Sequence, residues 1–359
     1  MRKEEIVERL SRLSEEELNQ MIDIYRKHKP RVMEGMQVIF IPESIKSRLS
    51  TYGDRDVNQI IKDLPTHLTK VESPSKAYAM KCKQIYIDNC YCFDEVGELF
   101  VQKALEYAAT YKTRPIILHG SPGCGKSHRA SVLAKMIGIP YERADIPLAA
   151  HSTGLSGEGG SYKNASVGII AKGMIHTKSC NYVLNSEELD KEERTDGRPS
   201  FSDQFLKVID QDATRFRDNR LGFDIDVSHI VYTFTANDVE KINAPMLDRC
   251  DVFEIRAPTR LEIEGILRNA IVPNTLNSYK TNNDITFSEE AVEYILSSLW
   301  RGTGTSVRQY QSLVSKCVGA ANYTCIYEER SVSIEKADVE AQLRNMTFDT
   351  VNKNKIGFN

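Results

Sequence analysis

The sequence predicts an α/β fold, a parallel sheet flanked by helices around a phosphate loop, and three observations predict it. The apolar run Ile116-Ile117-Leu118 leads directly into Gly120-Ser121-Pro122-Gly123-Cys124-Gly125-Lys126-Ser127, a full match to the pattern G-x-x-x-x-G-K-[ST]. Ala130, Leu133, Ala134 and Ile137 follow at i, i+3, i+4 and i+7, the period of an amphipathic helix, and Gly138 with Pro140 stops it. Two more apolar runs, Asn181 to Leu184 and Ile230 to Phe234, read as further buried strands.

The other elements follow along the chain. Ile6, Leu10 and Leu13, then Leu18, Met21, Ile22 and Tyr25, give two helices before Pro30, the second opened by a capping-box spacing from Ser14 to Glu17. Val38 to Ile41 suits a short strand, and Pro42 to Lys83 shows no sustained period, so an irregular connector is expected. Val96, Leu99, Phe100 and Ala104 share one face of a helix that begins at Glu95 and ends before Arg114 and Pro115. Near the C-terminus, helices are expected around Leu261 to Ala270, Glu289 to Leu299, Val307 to Ala321 and Ala337 to Leu343.

Composition narrows the function classes. The 359 residues are 41% hydrophobic and 27% charged, enough to bury a core and too mixed for a disordered or coiled-coil chain. Lys and Arg number 47 against 50 Asp and Glu, a formal net charge of −3, so no overall field draws the chain to nucleic acid or to an acidic membrane. No apolar run approaches the ~20 residues of a membrane span. The charged start, Met1 to Glu5, opens a helix rather than a signal peptide, and a cytoplasmic location is expected. The eight Cys are too sparse for a disulfide framework, and Cys82, Cys90 and Cys92 lack the fourth ligand of a zinc site, so reduced thiols are expected.

The chemistry concentrates at the glycine loop. Its glycines let successive backbone N–H groups turn inward toward phosphate oxygens at the positive end of the following helix. Lys126 is placed to reach the β and γ phosphates of a bound nucleotide, and Ser127 to ligate Mg2+. A strand ending in Glu187-Glu188 beside this loop offers one carboxylate on the metal side and another to orient an attacking water.

With Ser161-Tyr162-Lys163-Asn164-Ala165, Phe216-Arg217-Asp218, Asp224 to Ser228, Thr235-Ala236-Asn237, Leu247-Asp248-Arg249 and Ser306-Val307-Arg308 added in that order, residues 95–343 resemble the ATPase module of the Lon proteases, a branch of the AAA+ superfamily. The resemblance implies an N-terminal helical and irregular segment over 1–94, an AAA+ nucleotide-binding α/β core over 95–258, an all-α lid over 259–345 and a tail over 346–359. It implies that Asn237 is the sensor-1 residue, Arg249 an arginine finger inserted toward a neighbouring subunit's phosphate, and Arg308 the sensor-2 cation of the lid. Glu188 takes the water-activating place, Glu187 the metal-side place, and Tyr162 that of a pore-loop aromatic gripping an unfolded chain. A homo-oligomeric ring, a hexamer, acting on a protein substrate or effector follows from the same likeness.

Three departures accompany it. Glu187 stands where the family has Asp, preceded by Asn185 and Ser186; the extra methylene shifts the carboxylate by about 1.5 Å, and errors of that order cost ~100-fold in rate. The chain stops soon after the lid, leaving no room for the family's peptidase domain, so no proteolysis in cis is expected. Lys163-Asn164 makes the pore loop more polar. The leading expectation is thus an ATP-hydrolysing ring that remodels or unfolds a protein; the alternative is a slow or non-hydrolysing nucleotide-gated scaffold. A motor on DNA is disfavoured by the near-neutral charge.

Overall fold

The structure, a computed structural model, describes residues 55–145, 154–157, 166–192, 200–209, 216–279, 285–302 and 305–353. The two helices expected before Pro30, the strand at 38–41 and Tyr162 lie outside these residues.

In chain order come α1 (Arg55–Asp63), α2 (Lys76–Cys90), α3 (Glu95–Thr110), β1 (Ile116–His119), α4 (Lys126–Ile137), β2 (Tyr141–Asp145), α5 (Ile169–Thr177), β3 (Val183–Glu187), α6 (Phe201–Ile209), the hairpin strands β4 (Phe216–Asp218) and β5 (Phe223–Ile225), β6 (Val231–Ala236), α7 (Ala244–Arg249) and β7 (Asp251–Glu254). Five of these strands form one sheet in the order β2-β3-β6-β1-β7, every neighbouring pair parallel. Strand alternation sends Ile117 to one face and Ile116 and Leu118 to the other, so each face carries its own apolar layer. α5 and α6 cover the first face, α2, α3 and α4 the second. Phe205 of α6 meets Tyr232 and Phe234 of β6 edge-on at 5.5 and 4.8 Å, which fixes the strand whose end leads to Asn237.

The connector expected over Pro42 to Lys83 is corrected by α1 and by α2, which begins inside that stretch. The buried stripe of α2 is Tyr78, Cys82, Tyr86 and Cys90, spaced by four. Two Tyr and two Cys carry little of the aliphatic signal by which a helical period is recognised, and the residues between them are mostly polar. Ser75 caps the helix, its Oγ accepting from the Tyr78 N–H, and both Tyr78 and Cys82 donate to the Met136 carbonyl oxygen at the end of α4. Burial pushes the Cys90 thiol up to about 12, so it stays protonated as a packing group.

A second layer of structure comprises α8 (Arg260–Ile266), which runs through a π turn (Leu267–Ile271) into α9 (Val272–Ser278), then β8 (Ile285–Phe287), α10 (Glu289–Leu299), α11 (Val307–Glu328), β9 (Val332–Ile334) and α12 (Lys336–Lys353). Its apolar cluster is separate from the two of the sheet. The all-α expectation is corrected here: β8 and β9 pair in parallel, Ile285 opposite Val332 and Phe287 opposite Ile334. Apolar and hydroxyl residues alternate in both, the two-residue period of a strand, but three residues are too few to stand out against the helices around them.

β3 carries the two polar residues that the sequence set against a buried strand. Asn185 and Ser186 are fully buried. Thr233 of β6 donates to Asn185 Oδ1 at 2.9 Å, so the cross-strand partner makes the amide tolerable, while Ser186 Oγ has no hydrogen-bond partner among the described residues.

Candidate functional site

The glycine loop joins β1 to α4 at the C-terminal edge of the sheet, where strands feed helix N-termini. Gly120 has φ +149° and Gly123 +80°, and both are hemmed in. A Cβ on Gly120 would stand 2.3 Å from the Ile255 carbonyl oxygen, and one on Gly123 2.1 Å from Ser306 Oγ. Only glycine fits either position.

Lys126 closes the loop on itself and onto the neighbouring strand. Its ammonium donates to the Gly120 and Ser121 carbonyl oxygens at 2.7 and 3.0 Å and to Asn237 Oδ1 at 2.9 Å. Asn237 is there because β1 pairs with β6, His119 opposite Ala236, and the next residue of each strand continues that register. Burial holds the ammonium below the ordinary lysine value, with the Arg308 guanidinium adding to the effect and Asp190 and Glu187 opposing it.

Lys126, Asn237 and Glu187 line a cleft of about 310 Å³ together with Ser127, Glu188, Lys191 and Arg308. Glu188 follows β3 in the left-handed region, φ +62° and ψ +44°, a conformation that costs a non-glycine residue about 1–2 kcal/mol. The turn swings its carboxylate out of the strand to the cleft, where Oε1 lies 2.6 Å from Lys191 Nζ. Glu187 differs: it is buried, Oε2 lies 2.7 Å from Arg143 Nη2 and Oε1 accepts from Asn185 Nδ2 at 3.3 Å. Arg308, the second residue of α11, enters from the other side, and the N–H of its predecessor Val307 donates to the Gly123 carbonyl oxygen at 3.3 Å. The start of the long helix is thereby tied directly to the loop.

A second cavity of about 640 Å³ opens beside the cleft, and Gly125, His128, Val307 and Gln311 border both. Its walls include Cys90 and Tyr91 at the end of α2 and Ile266 and Ile271 of the helical layer. Arg129 at its back is buried, donates to both oxygens of Asp94 and to the Tyr86 hydroxyl, and is held down to about 10 by that burial.

The structure therefore brings Lys126, Ser127, Glu187, Glu188, Asn237 and Arg308 to one cleft. It does not bring Arg249 there: that side chain is exposed at the end of α7, donating to the Pro245 carbonyl oxygen at 3.3 Å. Sequence reasoning missed Arg143, Lys191 and the Ser306-Val307 contact with the loop. Lys191 carried a signal, the i, i+3 spacing from Glu188, whereas Arg143 meets Glu187 only through the pairing of β2 with β3.

A phosphate loop at a strand-to-helix junction, an acidic strand end and a polar strand end beside it, and a helical layer closing over them define the class: a P-loop nucleotide-binding α/β protein. Residues 116–257 match the family "ATPase family associated with various cellular activities (AAA)". The chain is 28% identical over 243 residues to a Lon protease of Campylobacter jejuni, covering 67% of this chain and 30% of that one. It is 31% identical over 198 residues to a Lon protease of Helicobacter pylori (54% and 24%) and 28% identical over 294 residues to one of Mycoplasma pneumoniae (77% and 36%). The chain contains a Lon-like AAA+ module, and its match spans about a third or less of the length of these relatives.

Proposed function

We propose that this chain binds ATP with Mg2+ and hydrolyses it, and that a homo-oligomeric ring, a hexamer, uses the turnover to remodel or unfold a protein partner. The observation that carries the reading is the Lys126 ammonium, held by two loop carbonyls and Asn237 at the floor of a cleft walled by Glu188 and Arg308. Crowding at Gly120 and Gly123 fits backbone closely wrapped on phosphate, and the adjoining cavity is sized for a nucleoside.

Gly120 through Ser127 would hold the phosphates, with Ser127 and Glu187 on the metal side. Bound there, ATP supplies a phosphoryl group in an activated bond. Glu188 orients water and takes its proton at a carboxylate oxygen, Asn237 fixes the water, and Arg308 senses the nucleotide from the lid. Arg249, exposed away from its own cleft, is offered to the neighbouring subunit's. Residues 95–258, with α1 and α2 packed onto their sheet, serve as core and 259–345 as lid; Tyr162 grips the substrate.

One observation favours a second reading, a nucleotide-gated scaffold with little turnover: both oxygens of Glu187 are engaged by Arg143 and Asn185. Steady-state ATP turnover of the wild type, Lys126→Ala and Glu188→Gln decides between them. The ring motor requires wild-type turnover well above both variants, with Glu188→Gln still binding ATP. Wild-type turnover equal to that of Lys126→Ala leaves the scaffold.

A further inference from the structure

Arg114 stands between α3 and β1. β1 pairs in parallel with the edge strand β7, Ile116 opposite Asp251, and the Asp251 N–H donates to the Pro115 carbonyl oxygen at 2.8 Å. Carried back two residues, that register sets Arg114 beside Arg249 at the end of α7. The guanidinium uses the position with three nitrogens. Nε donates to the Arg249 carbonyl oxygen at 3.0 Å, Nη2 donates to that of Asp248, and Nη1 lies 3.3 Å from Asp251 Oδ1. Asp251 is itself 2.6 Å from Lys103 Nζ of α3.

α7 has six residues, and the last carbonyls of a helix have no partner within it. A cation at that end satisfies them and complements the helix dipole. Arg114 does both and braces the peptide that carries Arg249 against the sheet edge, leaving the Arg249 side chain exposed.

We propose that Arg114 is a positioning residue for Arg249, fixing the backbone from which that guanidinium is presented to a neighbouring subunit; this rests on the reading of Arg249 as a finger acting in trans. A planar fork makes two directed hydrogen bonds and an ion pair at once, which an ammonium on a flexible stem does not reproduce. Displacing the finger by about 1 Å is enough to cost up to ~100-fold in rate.

The experiment measures ATP turnover and ATP affinity for Arg114→Ala, Arg114→Lys and Arg249→Ala, alone and mixed with other subunits. Arg114→Ala should keep wild-type ATP affinity and lose turnover by about 10- to 100-fold, with Arg114→Lys intermediate. Adding Lys126→Ala subunits, whose finger is intact, should restore part of the turnover to Arg114→Ala as it does to Arg249→Ala. Mixing Arg114→Ala with Arg249→Ala should restore none, and a merely destabilised subunit would not follow that pattern. Wild-type turnover in Arg114→Ala beside a dead Arg249→Ala overturns the proposal. So does a loss that Lys126→Ala subunits rescue in Arg249→Ala and not in Arg114→Ala, because the damage then lies in the variant's own cleft. Should Arg114→Ala fail to fold, Arg114→Lys decides, and unaltered turnover in it is the overturning result. Normal turnover in Arg249→Ala, or its failure to be rescued, removes the finger reading and Arg114's task with it.

Discussion

Glu187 and Glu188 are adjacent carboxylates with different partners, and the difference is one of backbone direction. Glu187 ends β3 in extended conformation and points across to Arg143, whereas Glu188 turns left-handed and faces the cleft. On the proposed reading, in which Glu187 lies on the metal side, Arg143 would compete with the metal ion for its carboxylate. The pair joins a buried acid to a half-exposed guanidinium, a geometry worth about 0.5–1 kcal/mol. Arg143→Met is therefore expected to lower the Mg2+ concentration for half-maximal ATP binding by about two- to fivefold, read from magnesium titrations with a fluorescent nucleotide. An unchanged midpoint means that Glu187 is not on the metal side. In the sequence, Glu187 was legible as a substitution in a contiguous motif, but Arg143 was not, because only the pairing of β2 with β3 makes them neighbours.

At the scale of elements, α2, α3 and α4 are joined by one buried polar knot. Asp94 caps α3 by accepting from the Gly97 N–H at 3.0 Å and also accepts from Arg129 of α4 and from the Tyr86 hydroxyl of α2. Asp94→Ala strands the Arg129 guanidinium and removes the cap, and denaturant unfolding should show a loss of about 3–5 kcal/mol; a loss below 1 kcal/mol, the scale of a surface ion pair, would show that the knot is not coupled. The β4-β5 hairpin is held by a fully buried carboxylate. Asp218 accepts from the backbone N–H groups of Gly168, Arg220 and Leu221 at 2.8, 2.9 and 3.0 Å, fastening the hairpin to the start of α5. Burial raises its pKa above 3.8 against those three hydrogen bonds. The folded chain then holds this proton more tightly than the unfolded chain, so the group's contribution to stability is greatest below 3.8 and declines as pH rises to the raised value. Urea midpoints of the wild type and Asp218→Asn should diverge with pH across that window and run parallel above it. Parallel behaviour throughout would mean an unshifted carboxyl.

In the whole molecule, the helical layer meets the sheet layer at the loop itself, through the Val307 N–H on Gly123 and the Ser306 side chain packed over it. On the proposed function, a change at the phosphates would be a change at the base of α11, the route by which local chemistry becomes movement of a layer. The proposed ring adds a second conversion, from that movement to force on a substrate. Tyr162→Ala should leave ATP turnover near wild type and abolish unfolding of a folded model protein; unimpaired unfolding would assign Tyr162 a structural role.

What the sequence determined by itself is what lies close along the chain: the loop from Gly120 to Ser127, the strand before it, the helix after it, and the acidic pair after β3. Each is written in neighbouring residues, where backbone freedom and side-chain period act directly. The tertiary structure decided the rest. It paired β2 with β3 and so gave Glu187 to Arg143, buried a stripe of Tyr and Cys to make α2, paired β8 with β9 across a long separation, and turned Arg249 away from its own cleft. The reason is physical: sheet register and layer packing are fixed by burial summed over residues far apart in the chain, and no local period records which distant strand will be the neighbour.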